Sequence, residues 1–152
     1  MTDYSELLKS AKVVRAKCYL FAHSDAAKNY FYGNEKTLKY MCAVASATLV
    51  EYLKRKGIKA NCITTQRHCW VECEDYYIDL TCSQFHSFDD FMVLTKKYFW
   101  MRVKVGEFFL SYKKAKKVSK KEYDSVFRAW GGGQAPTDKV IEEILKIGER
   151  NV

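Results

Sequence analysis

Apolar side chains recur at helical spacing in two segments of the N-terminal half of the chain. Between residues 5 and 21 they fall every three or four positions, which is the period of one helix face. Residues 37–56 show the same spacing more strongly, and Gly57 follows them as a stop signal. The pattern predicts two helices, with an aromatic-rich loop at 30–34 between them.

After Gly57 the pattern changes to short runs rich in β-branched and aromatic residues. These runs predict strands at 58–65, 67–72, 76–81, 93–105 and 108–112. Ser119 and Glu122 form a capping box that predicts a helix ending at the glycines 131–133. A last amphipathic helix is predicted at 138–148. Helices, then an antiparallel sheet, then helices indicate an α+β fold.

Composition narrows the class of protein. The chain has 152 residues, of which 48% are hydrophobic, with only one proline and seven glycines. Such a chain has enough apolar surface to bury a core, which argues against a disordered or linker-rich protein. Neither a secretory h-region nor an apolar run of spanning length is visible. We therefore expect a soluble cytoplasmic protein without a membrane partner.

The charge balance favours acidic partners. The chain carries 26 basic and 18 acidic side chains, giving a net charge of +8. Six of the lysines cluster within a short segment: Lys113, Lys114, Lys116, Lys117, Lys120 and Lys121. The simplest interpretation of this run is a solvated loop or helix start. The alternative is a nucleic-acid contact, in which Tyr112, Tyr123 and Trp130 would stack on bases.

The chain has six cysteines, at positions 18, 42, 62, 69, 73 and 82. Disulfides are typical of small secreted domains, so none is expected here. Paired Cys-x-x-Cys motifs for zinc are missing, and His68 with Cys69 and Cys73 is only a weak ligand pattern. We therefore expect no metal or other cofactor, and most of these thiols to be buried in the core.

A hairpin places two titratable side chains close together. If Glu74 and Asp75 form its turn, Cys73 pairs with Tyr76, and His68 becomes a diagonal neighbour of Asp79. An imidazole and a carboxylate can bridge that distance. Cys69, Val71, Ile78 and Leu80 would then lie on the opposite face, which is predicted to be the core face.

Cys42 is the candidate nucleophile because it lies near the start of the second predicted helix. Unsatisfied N–H groups at a helix N-terminus favour a thiolate, and an imidazole oriented by a carboxylate can take the thiol proton. Each residue also has a structural interpretation: a buried thiol, a histidine bonded within a sheet and a strand-end cap. Together, Cys42, His68 and Asp79 are the parts required for acyl transfer.

The segments around these three residues resemble the transglutaminase-like superfamily. Cys42 with Ala45, Leu49 and Leu53, followed by residues 57–60, is similar to the family's catalytic helix and following turn. Residues 68–72 and 77–81 look like its histidine and aspartate strands. The similarity covers residues 41–85. It implies a papain-like fold in a single domain over 1–152, with Cys42 as nucleophile, His68 as base and Asp79 as orienting carboxylate.

These residues predict a cysteine-dependent enzyme that acts on a peptide or carboxamide bond through a Cys42 thioester. Water as acceptor gives a protease or deamidase, which we favour, and an amine gives a crosslinker. Candidates for the oxyanion donor are the Cys42 backbone N–H and the side chains of Gln66, Trp70 and Asn34. Trp70 and Tyr77 are expected to wall the site. The alternative is a catalytically silent binding protein that uses the lysine run.

Overall fold

The computed structural model describes residues 1–29, 38, 41–65, 67–84, 90–104, 112–119, 122 and 138–148. Within these ranges the chain forms a mixed α+β fold with four α-helices and a five-stranded antiparallel sheet. The helices are α1 (Tyr4–Ala22), α2 (Cys42–Arg55), α3 (Lys96–Lys104) and α4 (Asp138–Leu145). The strands are β1 (Asn61–Thr64), β2 (Cys69–Cys73), β3 (Tyr76–Asp79), β4 (Met92–Thr95) and β5 (Lys116–Val118). Short 3₁₀ turns occur at Asp25–Asn29 and Cys82–Gln84.

The first helix confirms the predicted segment at 5–21. Asp3 caps α1 by accepting a hydrogen bond from the Ser5 N–H at 3.2 Å. Its buried face carries the apolar side chains that fall at helical spacing, among them Leu7, Ala11 and Val14.

The second helix begins later than its hydrophobic pattern indicates. The pattern predicts a start near residue 37, but α2 begins at Cys42. Leu38 has a positive φ of 59° and its carbonyl accepts the Met41 N–H at 3.0 Å, so the chain turns just before the helix. Gly57 ends α2 as predicted: its φ is +79°, and the N–H of Ile58 bonds back to the Leu53 carbonyl.

The order of strands in the sheet is β4-β3-β2-β1-β5. In the β2–β3 hairpin, Cys73 pairs with Tyr76 and Val71 with Ile78, which confirms the predicted register. Glu74 takes a left-handed conformation, φ 52°, in the two-residue turn. Because side chains alternate, this register puts Trp70 and Glu72 on one face and Cys69 and Val71 on the other.

Both faces of the sheet are buried, whereas the sequence pattern assigned the core to only one. On the first face, α1, α2 and α4 pack over side chains that include Val71, Ile78 and Val93. On the second face, Trp70 and Met92 form a separate core with Phe99 and Val103 of α3. The pair His68 and Asp79 therefore lies within a packed interior.

Residues 92–104 form a short strand followed by a helix, so the prediction of one long strand over 93–105 is wrong. β4 ends at Thr95 and α3 begins at Lys96. Aromatic and β-branched residues gave this segment a strand-like composition, but Phe99 and Val103 are buried at helical spacing while Tyr98 and Met101 are exposed.

The lysine run agrees with its simplest interpretation only in part. Lys113 and Lys114 are exposed in a bend of the chain. Residues 116–118, by contrast, form β5, an edge strand paired with β1, rather than a solvated loop or helix start. Only Val118 of β5 is buried, while Lys116 and Lys117 are exposed. Exposed lysines are typical of edge strands, where charge discourages pairing with another chain.

Several predicted elements lie outside the described residues: the aromatic-rich loop at 30–34, nearly all of the strand at 108–112 and the helix expected before residues 131–133. Of that helix, the start is described: the Glu122 N–H donates to the Ser119 hydroxyl at 3.3 Å, as the capping box predicts. None of the helices in the described ranges combines the length and apolar character that crossing a bilayer requires.

Candidate active site

Asp79, the last residue of β3, anchors the site. Its side chain is fully buried, and both carboxylate oxygens accept hydrogen bonds. The Thr81 N–H donates to Oδ1 at 3.0 Å. His68 Nε2 and the Tyr112 hydroxyl both bond to Oδ2, each at 2.7 Å. Such charge-assisted hydrogen bonds compensate for taking a carboxylate out of water.

His68 directly precedes β2 and is held on both its backbone and its ring. Its N–H donates to the Thr65 hydroxyl at 3.0 Å, and its carbonyl accepts the Thr65 N–H at 2.9 Å. On the ring, Nε2 faces Asp79, while Nδ1 lies 3.3 Å from the Gln84 side-chain amide nitrogen. The imidazole orientation is thereby fixed from both sides.

The electrostatic environment favours the imidazolium form of His68. Burial opposes protonation, but the charge and hydrogen bond of Asp79 outweigh it, with a smaller contribution from Cys42, and raise the pKa of His68 to about 10. A histidine without such partners titrates near 6.5. At neutral pH the arrangement therefore favours a buried imidazolium–carboxylate pair.

Cys42 is the first residue of α2, and its thiol lies within hydrogen-bonding reach of His68. Asp79 bonds to Nε2 of the ring, and Nδ1 lies on the opposite side, next to Gln84. Met41, the N-cap residue, provides no side-chain cap, and the first turn of α2 contains no acidic residue. A negative charge on the sulfur would therefore meet the positive end of the helix and an imidazolium.

Packing of α2 against β1 and β2 brings the three groups together. The hairpin register fixes His68 relative to Asp79, and the start of α2 at Cys42 fixes the thiol relative to both. Residues at positions 42, 68 and 79 thus form one hydrogen-bonded series from thiol to imidazole to carboxylate. Chemically, this series can remove the thiol proton, hold it on the imidazole and return it to a leaving group.

The sequence-based reasoning missed two residues of the site. Tyr112 was singled out only for base stacking, yet its buried hydroxyl donates to Asp79, and burial together with that carboxylate raises the pKa of Tyr112 far above its usual value. Gln84, in the 3₁₀ turn after β3, contacts His68 Nδ1 and, at 3.4 Å, the Thr81 hydroxyl. The proximity of Gln84 to Asp79 in the sequence could have suggested it, whereas Tyr112 is 33 residues away from Asp79.

Of the four predicted oxyanion or wall side chains, Gln66 and Asn34 lie outside the described residues. Trp70 is fully buried and stacks on the His68 ring with a centroid separation of 6.0 Å. Tyr77 packs edge-on against Trp70, also at 6.0 Å. Trp70 and Tyr77 both pack against Phe99 of α3. They therefore border the site on the side of His68 that faces α3 rather than α2.

The described lysines of the basic run lie near the site. Lys113, Lys114, Lys116 and Lys117 are exposed, and Val118 at the end of β5 packs in the same cluster as Cys42. Lys117 pairs with Glu72 at 2.9 Å on the far face of the sheet. Lys120 and Lys121 are outside the described residues.

None of the six cysteines forms a disulfide, and all six are buried. In the part of the chain that the structure describes, no group of three or more His, Cys, Asp or Glu side chains is arranged to hold a metal ion. Neither a family model, nor a curated protein, nor a solved structure matches this chain. The chemistry of the site is therefore argued from its own geometry.

Proposed function

We propose that the protein is a cysteine-dependent acyl-transfer enzyme that hydrolyses a peptide or carboxamide bond. One observation carries this proposal: the Cys42 thiol at the start of α2 contacts an imidazole whose other nitrogen is held by a buried carboxylate. Cys42 begins a helix, His68 directly precedes one strand, and Asp79 ends the adjacent antiparallel strand. This order of Cys, His and Asp supports assigning the chain to the transglutaminase-like superfamily with a papain-like fold.

The reaction begins at the Cys42 sulfur. The thiol proton resides on His68 in a thiolate–imidazolium pair, and the Cys42 thiolate attacks the carbonyl carbon of the substrate to give a tetrahedral oxyanion. The Cys42 backbone N–H, at the helix N-terminus, is the donor best placed to stabilise that oxyanion. His68 then protonates the departing amine or ammonia, leaving a thioester on Cys42, and Asp79 stabilises the imidazolium in between.

A second acceptor must resolve the thioester. Water, activated by His68, gives a carboxylic acid and free thiol, so the enzyme is a protease or a deamidase. An amine gives a crosslinked product instead. We favour water as the acceptor, since it is always present in solution.

Alkylation tests the nucleophile without knowledge of the substrate. Iodoacetamide, added at limiting amounts across pH 5–9, should modify Cys42 ahead of the other five thiols, and peptide mapping should identify it. His68→Gln should remove this selectivity. Cys82→Ala is the matched control, because Cys82 is buried in the second core and its loss should leave the labelling unchanged. Equal labelling of all thiols would contradict the proposal.

A peptide mixture of broad composition tests the reaction itself. Incubation with the wild-type protein should produce either new peptide termini or glutamine-to-glutamate conversion, and a rapid acid quench should trap acyl-Cys42. Cys42→Ala should abolish both. If the wild-type and Cys42→Ala proteins leave the same peptide mixture unchanged, the enzymatic proposal fails and the binding alternative takes its place.

A further inference from the structure

Three of the six thiols lie together at the start of α2. Cys42, Cys62 and Cys69 pack in one buried cluster with Val118 and Ala43, which we call the thiol cluster. The other three are elsewhere: Cys18 and Cys73 belong to the core under α1 and α2, and Cys82 to the core under α3. Cys42, the candidate nucleophile, therefore has two further thiols, Cys62 and Cys69, packed beside it.

Sheet register explains how the two additional thiols meet. Cys62 of β1 pairs with Val71, and Cys69 of β2 pairs with Thr64, so the two cysteines are diagonal neighbours on the face that α2 covers. Cys69 hydrogen-bonds to Cys62 and to Ser46, which lies one turn after Cys42 in α2. Cys69 is thus situated beneath the first turn of the helix, within the electrostatic reach of the Cys42 sulfur.

We propose that the thiol cluster is an oxidation site, in which a hydroperoxide oxidises Cys42 and Cys69 then captures it as a reversible disulfide. The proposal rests on the proposed function, since it requires the Cys42–His68 pair to supply a reactive thiolate. It adds a modification that would switch acyl transfer off and on.

The Cys42 thiolate attacks one peroxide oxygen, the O–O bond breaks, and sulfenic acid forms as the second oxygen leaves as hydroxide or alkoxide, which takes a proton from the His68 imidazolium to become water or alcohol. The sulfur is oxidised by two electrons and the peroxide is reduced by two. The Cys69 sulfur then displaces the hydroxyl group from Cys42; the Cys69 proton leaves with it as water, and an S–S bond forms.

Accessibility and ionisation divide the roles between the two cysteines. Cys42 is 8% exposed and Cys69 only 1%, so an oxidant in solution reaches Cys42 first. Burial, together with the neighbouring Cys62 and Cys42, raises the pKa of Cys69 well above its usual value. Cys69 therefore stays protonated, and a protonated thiol reacts slowly with hydroperoxides. It reacts only after Cys42 has become an electrophilic sulfenic acid.

The test is disulfide mapping of the intact protein after treatment with hydrogen peroxide at a few equivalents. We expect loss of iodoacetamide labelling at Cys42, one new Cys42–Cys69 crosslinked peptide and full recovery of labelling with dithiothreitol. With Cys69→Ala, the same treatment should carry Cys42 on to sulfinic acid, and dithiothreitol should no longer restore it. Cys73→Ala, on the same strand and face, is the control and should behave as the wild type.

The outcomes separate the two proposals. Selective labelling of Cys42 without any disulfide after peroxide would overturn the oxidation site and leave the proposed function standing. A disulfide between Cys42 and Cys62 would overturn the assignment of Cys69. Unselective labelling before peroxide would contradict the proposed function itself. Circular dichroism checks the folding of Cys69→Ala, and the wild-type mapping decides the question even if that variant unfolds.

Discussion

The Asp79 carboxylate receives hydrogen bonds from three different groups, although no part of it reaches solvent. Burying an ionised group without such partners costs several kcal/mol, and the pairing with His68 recovers that cost only while the hydrogen bonds remain. Tyr112 and Thr81 therefore matter for the site through their hydrogen bonds to the carboxylate. They hold the carboxylate where it can fix the imidazole.

Asp79→Asn should impair the reaction far more than the fold. An amide in this position cannot carry the negative charge that stabilises the imidazolium, and it no longer selects the tautomer with the proton on Nε2. We expect turnover to fall by about 10²- to 10⁴-fold. Single-turnover rates measure it. Asp75→Asn, in the exposed hairpin turn, is the matched control, and equal losses in the two variants would contradict the role of Asp79.

The His68–Asp79 pair also predicts how stability depends on pH. The pKa of His68 is raised from 6.5 to about 10 in the folded state, so the folded protein binds this proton more tightly than the unfolded chain does. The stabilisation is complete below pH 6.5 and is lost as pH rises toward about 10. The slope is at most about 1.4 kcal/mol per pH unit.

Urea denaturation of the wild type and His68→Gln between pH 6 and pH 10 measures this contribution. The difference in unfolding free energy between the two proteins should shrink as pH rises, because only the wild type loses a bound proton. A difference that stays constant over the whole range would mean that His68 is not protonated in the folded protein.

The sequence is sufficient to predict the two groups joined by a hairpin. His68 and Asp79 follow from alternation and a two-residue turn, both of which are local properties. Tyr112 does not follow, because it reaches Asp79 from a distant segment whose path depends on tertiary packing. Local patterns thus predict the imidazole and its carboxylate, but not the hydroxyl that completes the carboxylate's hydrogen bonds.

At the scale of elements, α3 completes the second face of the sheet. Trp70 is buried between this helix and the site: its ring lies 5.5 Å from Phe99 and 6.0 Å from His68. Its indole Nε1 has no hydrogen-bond partner among the described residues. The side chain therefore contributes packing, at the cost of one unsatisfied buried donor.

Two substitutions at Trp70 separate packing from chemistry. Trp70→Ala should destabilise the protein by about 3–5 kcal/mol, since it leaves a large cavity between α3 and the sheet. Trp70→Phe keeps an aromatic ring and removes the unpaired N–H, so we expect a cost of less than about 2 kcal/mol.

Turnover per folded molecule should be nearly unchanged in Trp70→Phe, because the ring lies behind His68 in the core. Chemical denaturation and single-turnover rates measure the two effects. A large fall in rate without a loss of stability would instead indicate that the indole N–H stabilises the oxyanion.

Elements with a strong periodicity of apolar residues are predicted well from the sequence. Element boundaries that depend on tertiary packing are not. α1 and the end of α2 follow from apolar spacing and from Gly57. The start of α2 does not, since the apolar Leu38 and Met41 extend the spacing upstream of Cys42 although the chain turns at Leu38. This difference affects the chemistry: a start at Cys42 puts the thiol at the positive end of the helix, whereas a start near residue 37 would put it inside.

At the scale of the whole molecule, the net charge of +8 is unevenly distributed over the chain. Lys113 and Lys114 precede the edge strand β5, Lys116 and Lys117 belong to it, and all four are exposed. Val118, the last residue of β5, packs with Cys42. The register puts Lys116 on the same face as Thr64, toward α2, whereas Lys117 lies on the far face beside Glu72. Substrates that approach Cys42 therefore meet positive charge from one side of the sheet in particular.

Acidic substrates should consequently react faster than basic ones at low ionic strength. We expect kcat/KM for a peptide with glutamates beside the scissile bond to exceed that of its lysine counterpart, and to fall as salt shortens the Debye length below about 8 Å. Lys116→Glu should reduce the preference by roughly tenfold, since it reverses a charge on the site face. Lys117→Glu, the same charge reversal on the opposite face, should leave it unchanged.

The same series tests the binding alternative. If Cys42 does not react with either peptide, but the protein binds a single-stranded oligonucleotide with an affinity that falls steeply with salt, the lysines serve recognition rather than catalysis. Equal effects of Lys116→Glu and Lys117→Glu on kcat/KM would indicate that only the total charge matters, since the two variants change the net charge by the same amount. The catalytic interpretation requires that the face of the sheet toward Cys42 decides near physiological ionic strength, because a charge screened over about 8 Å acts over little more than the width of two strands.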